Sequence, residues 1–287
     1  MQGKVVFITG AARGIGAAIA HGMAARGARV ALVGREPELL AQLARELGPQ
    51  HVWHECDVTR QDDLTRAVDA VVRDLGGIDV VVANAGIASL GTVAVVPVEA
   101  MARVVDVNLT GVIRTVHATL PHVIARRGYF LLVSSAAAFA PQPGMAAYAA
   151  SKAGVEQFGN VLRLELLRDG VDVGVAHPSW IDTDLVRDVQ QDLPSFARTL
   201  RKLPGPFGTV TSLGACTDAL LDAILRRRRK IYIPKGLRPF AAMRHLFMSK
   251  LGDLTIDKGA QKRLEELESE VRSLGRVFGE HSAERRD

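Results

Sequence analysis

The sequence predicts an α/β fold, a doubly wound parallel sheet of about seven strands with helices on both faces, followed by a helical extension at the C-terminus. Three observations carry this. Short β-branched runs alternate with helical stretches along residues 1–235. The runs are continuously apolar, as in Val5-Val6-Phe7-Ile8 and Val80-Val81-Val82-Ala83, which suits strands buried on both faces. The first run ends in a glycine-rich turn that opens a helix, the corner at which such sheets hold ligands.

In order, Lys4 to Thr9 is the first strand, and Gly10 to Gly16 opens a helix that runs to about Arg26. Ala28 to Val33 is the second strand, and Glu36 to Leu47 a helix with Pro37 in its first turn, where a missing N–H costs nothing. His51 to Cys56 is a strand, Asp62 to Leu75 a helix and Ile78 to Ala83 a strand. One long helix covers Pro97 to Ala125. The strand Tyr129 to Val133, the helix Ala146 to Arg168 and the strands Val171 to His177 and Lys230 to Pro234 complete the sheet. No internal repeat or linker divides residues 1–235, which read as one domain, with 236–287 as the extension.

Composition bounds the function. The chain is 48% hydrophobic and 23% charged, ordinary for a globular protein. Two cysteines, Cys56 and Cys216, make neither a disulfide framework nor a metal site, and fit a reducing, cytoplasmic setting. No secretory signal pattern is expected, because a strand begins at Lys4. No window approaches the ~18 apolar residues of a membrane span.

Chemistry concentrates where strands end. In Thr9-Gly10-Ala11-Ala12-Arg13-Gly14-Ile15-Gly16, Gly10 allows a tight turn, while Gly14 and Gly16 let the backbone approach a ligand. The exposed amides of the following helix suit a pyrophosphate. The second strand ends in Gly34-Arg35, where a carboxylate would grip a ribose 2′-hydroxyl. Arg35 and Arg13, without a carboxylate, suit a 2′-phosphate instead, hence NADP rather than NAD. Asp57-Val58 follows the third strand and Asn84-Ala85-Gly86 the fourth. Tyr148 and Lys152 lie four apart and share a helix face. A phenol of pKa about 10 is a poor base at neutral pH, and a nearby cation favours its phenolate. Ser135 stands just past the fifth strand, and Asn108 falls inside the long helix although asparagine is a mediocre helix former. Singly, each of these has a bland explanation: a turn serine, solvated arginines, an exposed asparagine.

Together they resemble the short-chain dehydrogenase/reductase family, in the subgroup with T-G-x-x-x-G-x-G and Y-x-x-x-K motifs, over roughly residues 3–235. The matches are Thr9–Gly16, Asn84–Gly86, Tyr148–Lys152, the serine thirteen residues before the tyrosine, and Asn108. The resemblance implies a Rossmann-like sheet and a role for each position. Tyr148 is the acid/base, and Lys152 lowers its pKa and binds the nicotinamide ribose. Ser135 holds the substrate oxygen, and Asn108 holds a water that links Lys152 to solvent. Asp57 and Val58 flank the adenine, and Asn84, Ala85 and Gly86 line the cofactor groove. Ile181 and Thr183 address the carboxamide and phosphates. The resemblance also suggests a homodimer or homotetramer built on the 97–125 and 146–168 helices.

The chain departs from the family at Pro178-Ser179-Trp180-Ile181-Asp182-Thr183, where Ser179 replaces a glycine and Trp180 is bulky enough to narrow the substrate mouth. The stretch 184–207 reads as a substrate loop, and its Leu185, Val186, Leu193, Phe196, Leu200, Leu203, Pro204, Pro206 and Phe207 either cover the core or line a pocket for a lipophilic alcohol or ketone. Residues 226–251 mix basic and apolar side chains without an acid. A lid over the active site, a subunit contact and a peripheral membrane contact are all open readings, and nucleic-acid binding is the poorer one. Leu237 to Leu251 is expected to be helical and to close the substrate side. Leu264, Leu267, Val271, Leu274 and Phe278 form an apolar seam, short of a coiled coil, that docks on the body or pairs with a partner. The sequence therefore predicts an NADP(H)-dependent oxidoreductase that interconverts a secondary alcohol and a ketone or aldehyde of a lipophilic small-molecule substrate, with Tyr148 as acid/base. A catalytically silent NADP-binding sensor and a membrane-recruited scaffold are the competing readings.

Overall fold

The computed structural model of the chain describes residues 1–203, 205–247, 249 and 260–279. Seven parallel strands form one sheet in the order β3-β2-β1-β4-β5-β6-β7. They are β1 (Val5–Thr9), β2 (Arg29–Gly34), β3 (Val52–Glu55), β4 (Val80–Ala83), β5 (Tyr129–Val133), β6 (Asp172–Pro178) and β7 (Lys230–Ile233). The helices α1 (Gly14–Ala24), α2 (Pro37–Leu47) and α9 (Leu213–Leu225) pack on one face. On the other lie α3 (Gln61–Leu75), α5 (Gly111–Ala125) and α6 (Ala146–Glu165). Each face has its own apolar core, because side chains alternate along the strands: Val6 and Ile8 point to the first, Val5 and Phe7 to the second. The sheet's direction of winding reverses between β1 and β4, and the crevice at their C-terminal ends is the ligand corner of such folds.

The long helix expected over 97–125 is interrupted. Pro97 lies outside it, α4 spans Val98–Val105, a wide π-type turn takes Asp106–Thr110, and α5 follows. The cause is Asn108. Its side chain is fully buried, accepts from Ile87 N at 2.8 Å, and donates to Ile87 O at 2.9 Å and to Ser151 Oγ at 3.2 Å. Such bulges collect at functional sites.

The substrate-loop region contains α7 (Asp184–Asp192), α8 (Pro194–Lys202) and a single turn at Gly205–Phe207; Pro204 lies outside the described residues. After β7 come α10 (Leu237–Ala242) and α11 (Arg244–Phe247), and α12 (Ala260–Leu274) ends the described helices. The helical expectation for 237–251 is met over 237–242 and 244–247, with a turn at Met243 between them; Ser249 is in a bend, and residues 248, 250 and 251 lie outside the described residues. The basic side chains of the 226–251 stretch largely meet acids that the sequence places elsewhere. Arg226 and Arg228 share Asp222, and Arg227 reaches Asp172. Arg244 bonds the buried Glu156 at 2.9 Å, with Lys230 4.0 Å away.

Burial pushes the Glu156 carboxyl up, but His177 and Arg244 outweigh it and hold it below the usual carboxylate range. Arg244→Ala should therefore leave a buried carboxylate short of its charged donor. We expect a loss of about 1–3 kcal/mol in denaturant unfolding, and an unchanged midpoint would refute this account of the extension's anchoring.

Candidate active site

The cleft at the ends of β1, β4, β5 and β6 has a volume of about 840 Å³. One half is the glycine-rich corner. Gly10, with φ of 63°, turns the chain out of β1, and its amide neighbourhood is fixed by Asn84, which donates to Thr9 O and Gly10 O, each at 3.1 Å. A side chain at Gly16 would strike the Gly10 carbonyl and the Asn84 amide, so only glycine lets α1 start this close to β1. Gly10, Arg13, Gly14, Ile15, Arg35, Asp57, Val58, Asn84, Ala85, Gly86, Ile181 and Thr183 all line the cleft.

The two arginines do not stand free of carboxylates, contrary to the premise drawn from sequence. Arg13 pairs with Glu36 at 3.1 Å, and Arg35 lies 3.7 Å from Asp57. Glu36 sits one residue beyond the position searched for an acid, because the chain turns into α2 there. Asp57 is committed to neighbours: Thr59 N and Oγ1 donate to it at 2.9 and 2.7 Å, and Arg103 at 3.2 Å. Burial raises its carboxyl, and these contacts more than reverse that, leaving it below the ordinary value. The Nε of Arg13 is buried without a hydrogen-bond partner among the described residues, a donor suited to an anionic ligand.

The other half holds Ser135, Tyr148 and Lys152, all on the cleft wall. Ser135 leaves the end of β5 and begins a short turn, accepting from Ala137 N at 3.2 Å and donating to Pro178 O at 3.3 Å. Its hydroxyl faces the same cleft as the Tyr148 phenol. Lys152, on the same face of α6 one turn on, is 4% exposed and donates from Nζ to Val133 O at 3.0 Å. The ammonium lies 5.6 Å from the centre of the Tyr148 ring. Burial raises the phenol above its ordinary value, and the opposing influence comes from Ser135. Burial also lowers Lys152, to about 8.

Asn108 does not line the cleft; it lies behind Gly86. A side chain built on Gly86 would press on Asn108 Oδ1 at 3.2 Å and Lys152 Nζ at 3.4 Å, so glycine lets the loop after β4 pass close to both. By binding both backbone groups of Ile87, Asn108 holds that loop in place.

Several lining residues carried no motif signal: Leu39, Cys56, Leu90, Gln142 and Met145. Their place follows from strand register and loop path, which no local pattern encodes. Burial, with help from Asp63 and Asp57, pushes the Cys56 thiol up to about 12, which disfavours the reactive thiolate. Of the substrate-loop residues, Asp184, Leu185, Val186, Val189 and Phe207 line the cleft. Leu193 and Phe196 instead pack around Trp180, whose ring meets Phe196 edge-on at 5.2 Å. The 237–247 segment does not line the cleft. Leu237 is buried behind the Ser135 turn against Ala136, Ala138 and Phe139, and Phe240 meets Phe207 edge-on at 5.0 Å.

A short chain dehydrogenase family profile matches residues 4–194. The chain belongs to the short-chain dehydrogenase family. Similar members include 11-beta-hydroxysteroid dehydrogenase 1A of Arabidopsis thaliana, 33% identical over 253 residues, 83% of this chain and 70% of that one. The 11-beta-hydroxysteroid dehydrogenase of Pinus massoniana is 31% identical, over 89% of this chain and 73% of its own. A short-chain type dehydrogenase/reductase from Mycobacterium marinum superposes with a TM-score of 0.73 at 28% identity, covering 80% of this chain and 94% of its own. The 3-ketoacyl-(acyl-carrier-protein) reductase of Brucella melitensis, complexed with NADH, gives 0.71 at 25% identity, covering 81% and 97%. Short-chain dehydrogenases are oxidoreductases of CH–OH and C=O groups that bind a nicotinamide cofactor. Among the described residues no helix is long and apolar enough to cross a membrane.

Proposed function

We propose that this short-chain dehydrogenase interconverts a lipophilic secondary alcohol and its ketone or aldehyde with NADP(H). One observation carries the reading: Ser135, Tyr148 and Lys152 meet on one wall of a cleft whose opposite end is the glycine-rich corner. Gly10 to Gly16 would hold the pyrophosphate at the start of α1, Asn84 to Gly86 the middle of the groove, and Ile181 and Thr183 the nicotinamide end. The bound nicotinamide supplies or accepts the hydride. The chain's own residues handle the oxygen. Tyr148, kept protonated by its burial, donates its proton to the oxygen as negative charge develops there. Ser135 hydrogen-bonds the same oxygen, stabilising the charge that develops there. Lys152 lies over the tyrosine ring and helps the phenolate form once its proton has left. Leu90, Met145, Trp180, Val186, Val189 and Phe207 leave an apolar approach to that oxygen.

Several finer readings accompany this. Ile113, Val161, Leu164 and Leu167 leave apolar surface open on α5, α6 and the turn after α6, which favours a homodimer or homotetramer through those helices. The chain is read as cytoplasmic. A peripheral membrane contact through 226–251 is the weaker reading, since so many of its cations are paired to acids. The test of function is a screen of ketones and alcohols followed by nicotinamide absorbance at fixed NADPH or NADP⁺. Turnover of apolar ketones supports the reading, and silence across the series defeats it.

The cofactor preference has its own test. A charge-assisted arginine–phosphate contact is worth roughly 1.5–3 kcal/mol. A 2′-phosphate must share Arg13 with Glu36 and Arg35 with Asp57, so the lower end applies. NADPH should bind about tenfold more tightly than NADH, and Arg35→Ala should remove most of that. Dissociation constants for both reduced cofactors decide it. A wild type that prefers NADH would assign Glu36 the gripping role instead.

A further inference from the structure

Residues 260–279 lie beyond the family match at 4–194, yet they contact the rim of the cleft at several points. Leu267 and Val271 of α12 are 6% and 4% exposed and share one apolar cluster with Leu90, Met145 and Val189, all of which line the cleft. Tyr148 and Trp180 pack against the same cluster. The loop after β5 makes room for it with a glycine: a side chain on Gly144 would meet Leu267 at 2.7 Å. Gly91, in the loop after β4, lies under Val271, although a side chain there would first meet Val96 at 2.8 Å. Both glycines have positive φ, and Gly91 N donates to Gly144 O at 3.0 Å, so the two loops are joined directly under the helix.

Polar contacts set the register. The Glu270 carboxylate accepts from Ser195 N at 3.0 Å and from Ser195 Oγ at 2.6 Å, and Ser195 is buried. Thr92 Oγ1 donates to Glu268 at 2.6 Å, and Arg198 pairs with Glu266 at 3.0 Å. Past the helix, Leu90 N donates to Val277 O at 3.0 Å, Ser89 and Phe278 form an antiparallel bridge, and Arg276 pairs with Asp192 at 2.8 Å. One segment thus binds the loop after β4, the loop after β5 and the α7–α8 unit. These walls come from different crossovers of the sheet.

We propose that the segment 260–279 is a strap that sets the width of the substrate mouth. Leu267, Val271 and Glu270 are positioning residues that govern which size of alcohol or ketone reaches Tyr148. The proposal rests on the reading of the cleft as a carbonyl-reducing site. Its physical basis is that the cleft-lining faces of Leu90, Met145 and Val189 are backed by the strap rather than by the sheet. Loosening the strap moves the mouth while leaving the glycine-rich corner, built on β1 and β4, as it was.

The test uses the full chain in a Trp53→Phe background, which leaves Trp180 as the only tryptophan of the two in the sequence. Leu267→Ala and Glu270→Ala should raise acrylamide quenching of Trp180 by about twofold. Both should change the ratio of KM values for bulky and small ketones by about threefold or more, with kcat for the small ketone little changed. NADPH affinity should stay at the wild-type value, which reports that the core has folded. Glu270→Gln keeps an acceptor for Ser195 and should restore most of both readouts. Ser195→Ala removes the hydroxyl donor but keeps the backbone N–H to Glu270, and should shift both readouts in the same direction by less than Glu270→Ala. Unchanged quenching and an unchanged KM ratio in Leu267→Ala and Glu270→Ala overturn the proposal. Absence of turnover with every ketone defeats the reductase reading instead, and the quenching arm tells the two failures apart.

Discussion

Tyr148→Phe is expected to bind NADPH as the wild type does and to lose about 10²–10⁴-fold in turnover. The substitution removes one oxygen and keeps the ring, which packs with Leu90, Met145 and Trp180. The fold and the glycine-rich corner are untouched, since neither depends on the phenol. What disappears is the phenolic proton that Tyr148 presents on the same cleft wall as Ser135. Ser135 alone can still hydrogen-bond a developing alkoxide, so some rate above the uncatalysed reaction should remain. The measurement is single-turnover reduction of the best ketone found, beside an NADPH titration. A variant that turns over within about threefold of the wild type would remove Tyr148 from the mechanism.

What could be read from the sequence was whatever depends on local chemistry. Strand and helix order followed from continuous apolar runs and helical stretches, so the sheet of β1 to β7 and its ligand corner were legible without coordinates. Ser135, Tyr148 and Lys152 were legible because their spacing is fixed by one strand end and one helix, and the structure brings them to one wall. Asn108 was legible as an anomaly but not as what it is. Its effect is to break a helix by binding the backbone of Ile87, a partner twenty-one residues away. The Arg13–Glu36 and Arg35–Asp57 pairs were missed for the same reason. A search at the end of β2 tests one position for an acid, whereas charge reaches the site from α2 and from the loop after β3. The extension was misread in emphasis. Its basic stretch at 226–251 looked like the functional part, yet those cations largely neutralise acids of the body. The less conspicuous seam of Leu267 and Val271 is the part that packs behind the cleft-lining Leu90, Met145 and Val189. A helical seam says that something is covered, and only tertiary structure says what.

The second large effect concerns Lys152 and pH. Its ammonium is buried and donates to the Val133 carbonyl, with no carboxylate paired to it among the described residues. Burial alone brings its pKa from 10.5 to about 8. Tyr148 shifts the other way, above 10, so it stays protonated across the same range. Reduction should therefore proceed at full rate below pH 8 and fall above it, by up to about tenfold per unit, as Lys152 loses the charge that favours phenolate. Measured as kcat/KM for the cofactor, this reports the free enzyme. The same shift has a signature in stability. Between pH 8 and 10.5 the unfolded chain binds the lysine proton and the native state does not, so this group's contribution to stability rises with pH there. Below pH 8 the native state carries the full burial penalty, roughly 3 kcal/mol for a shift of this size. Lys152→Met should consequently lose activity at every pH while unfolding at a higher denaturant concentration than the wild type at pH 7. Its advantage should shrink as the pH approaches 10. A stability gap that stays constant with pH would mean that the ammonium is solvated or paired, and a rate profile flat to pH 10 would show that turnover does not depend on its charge.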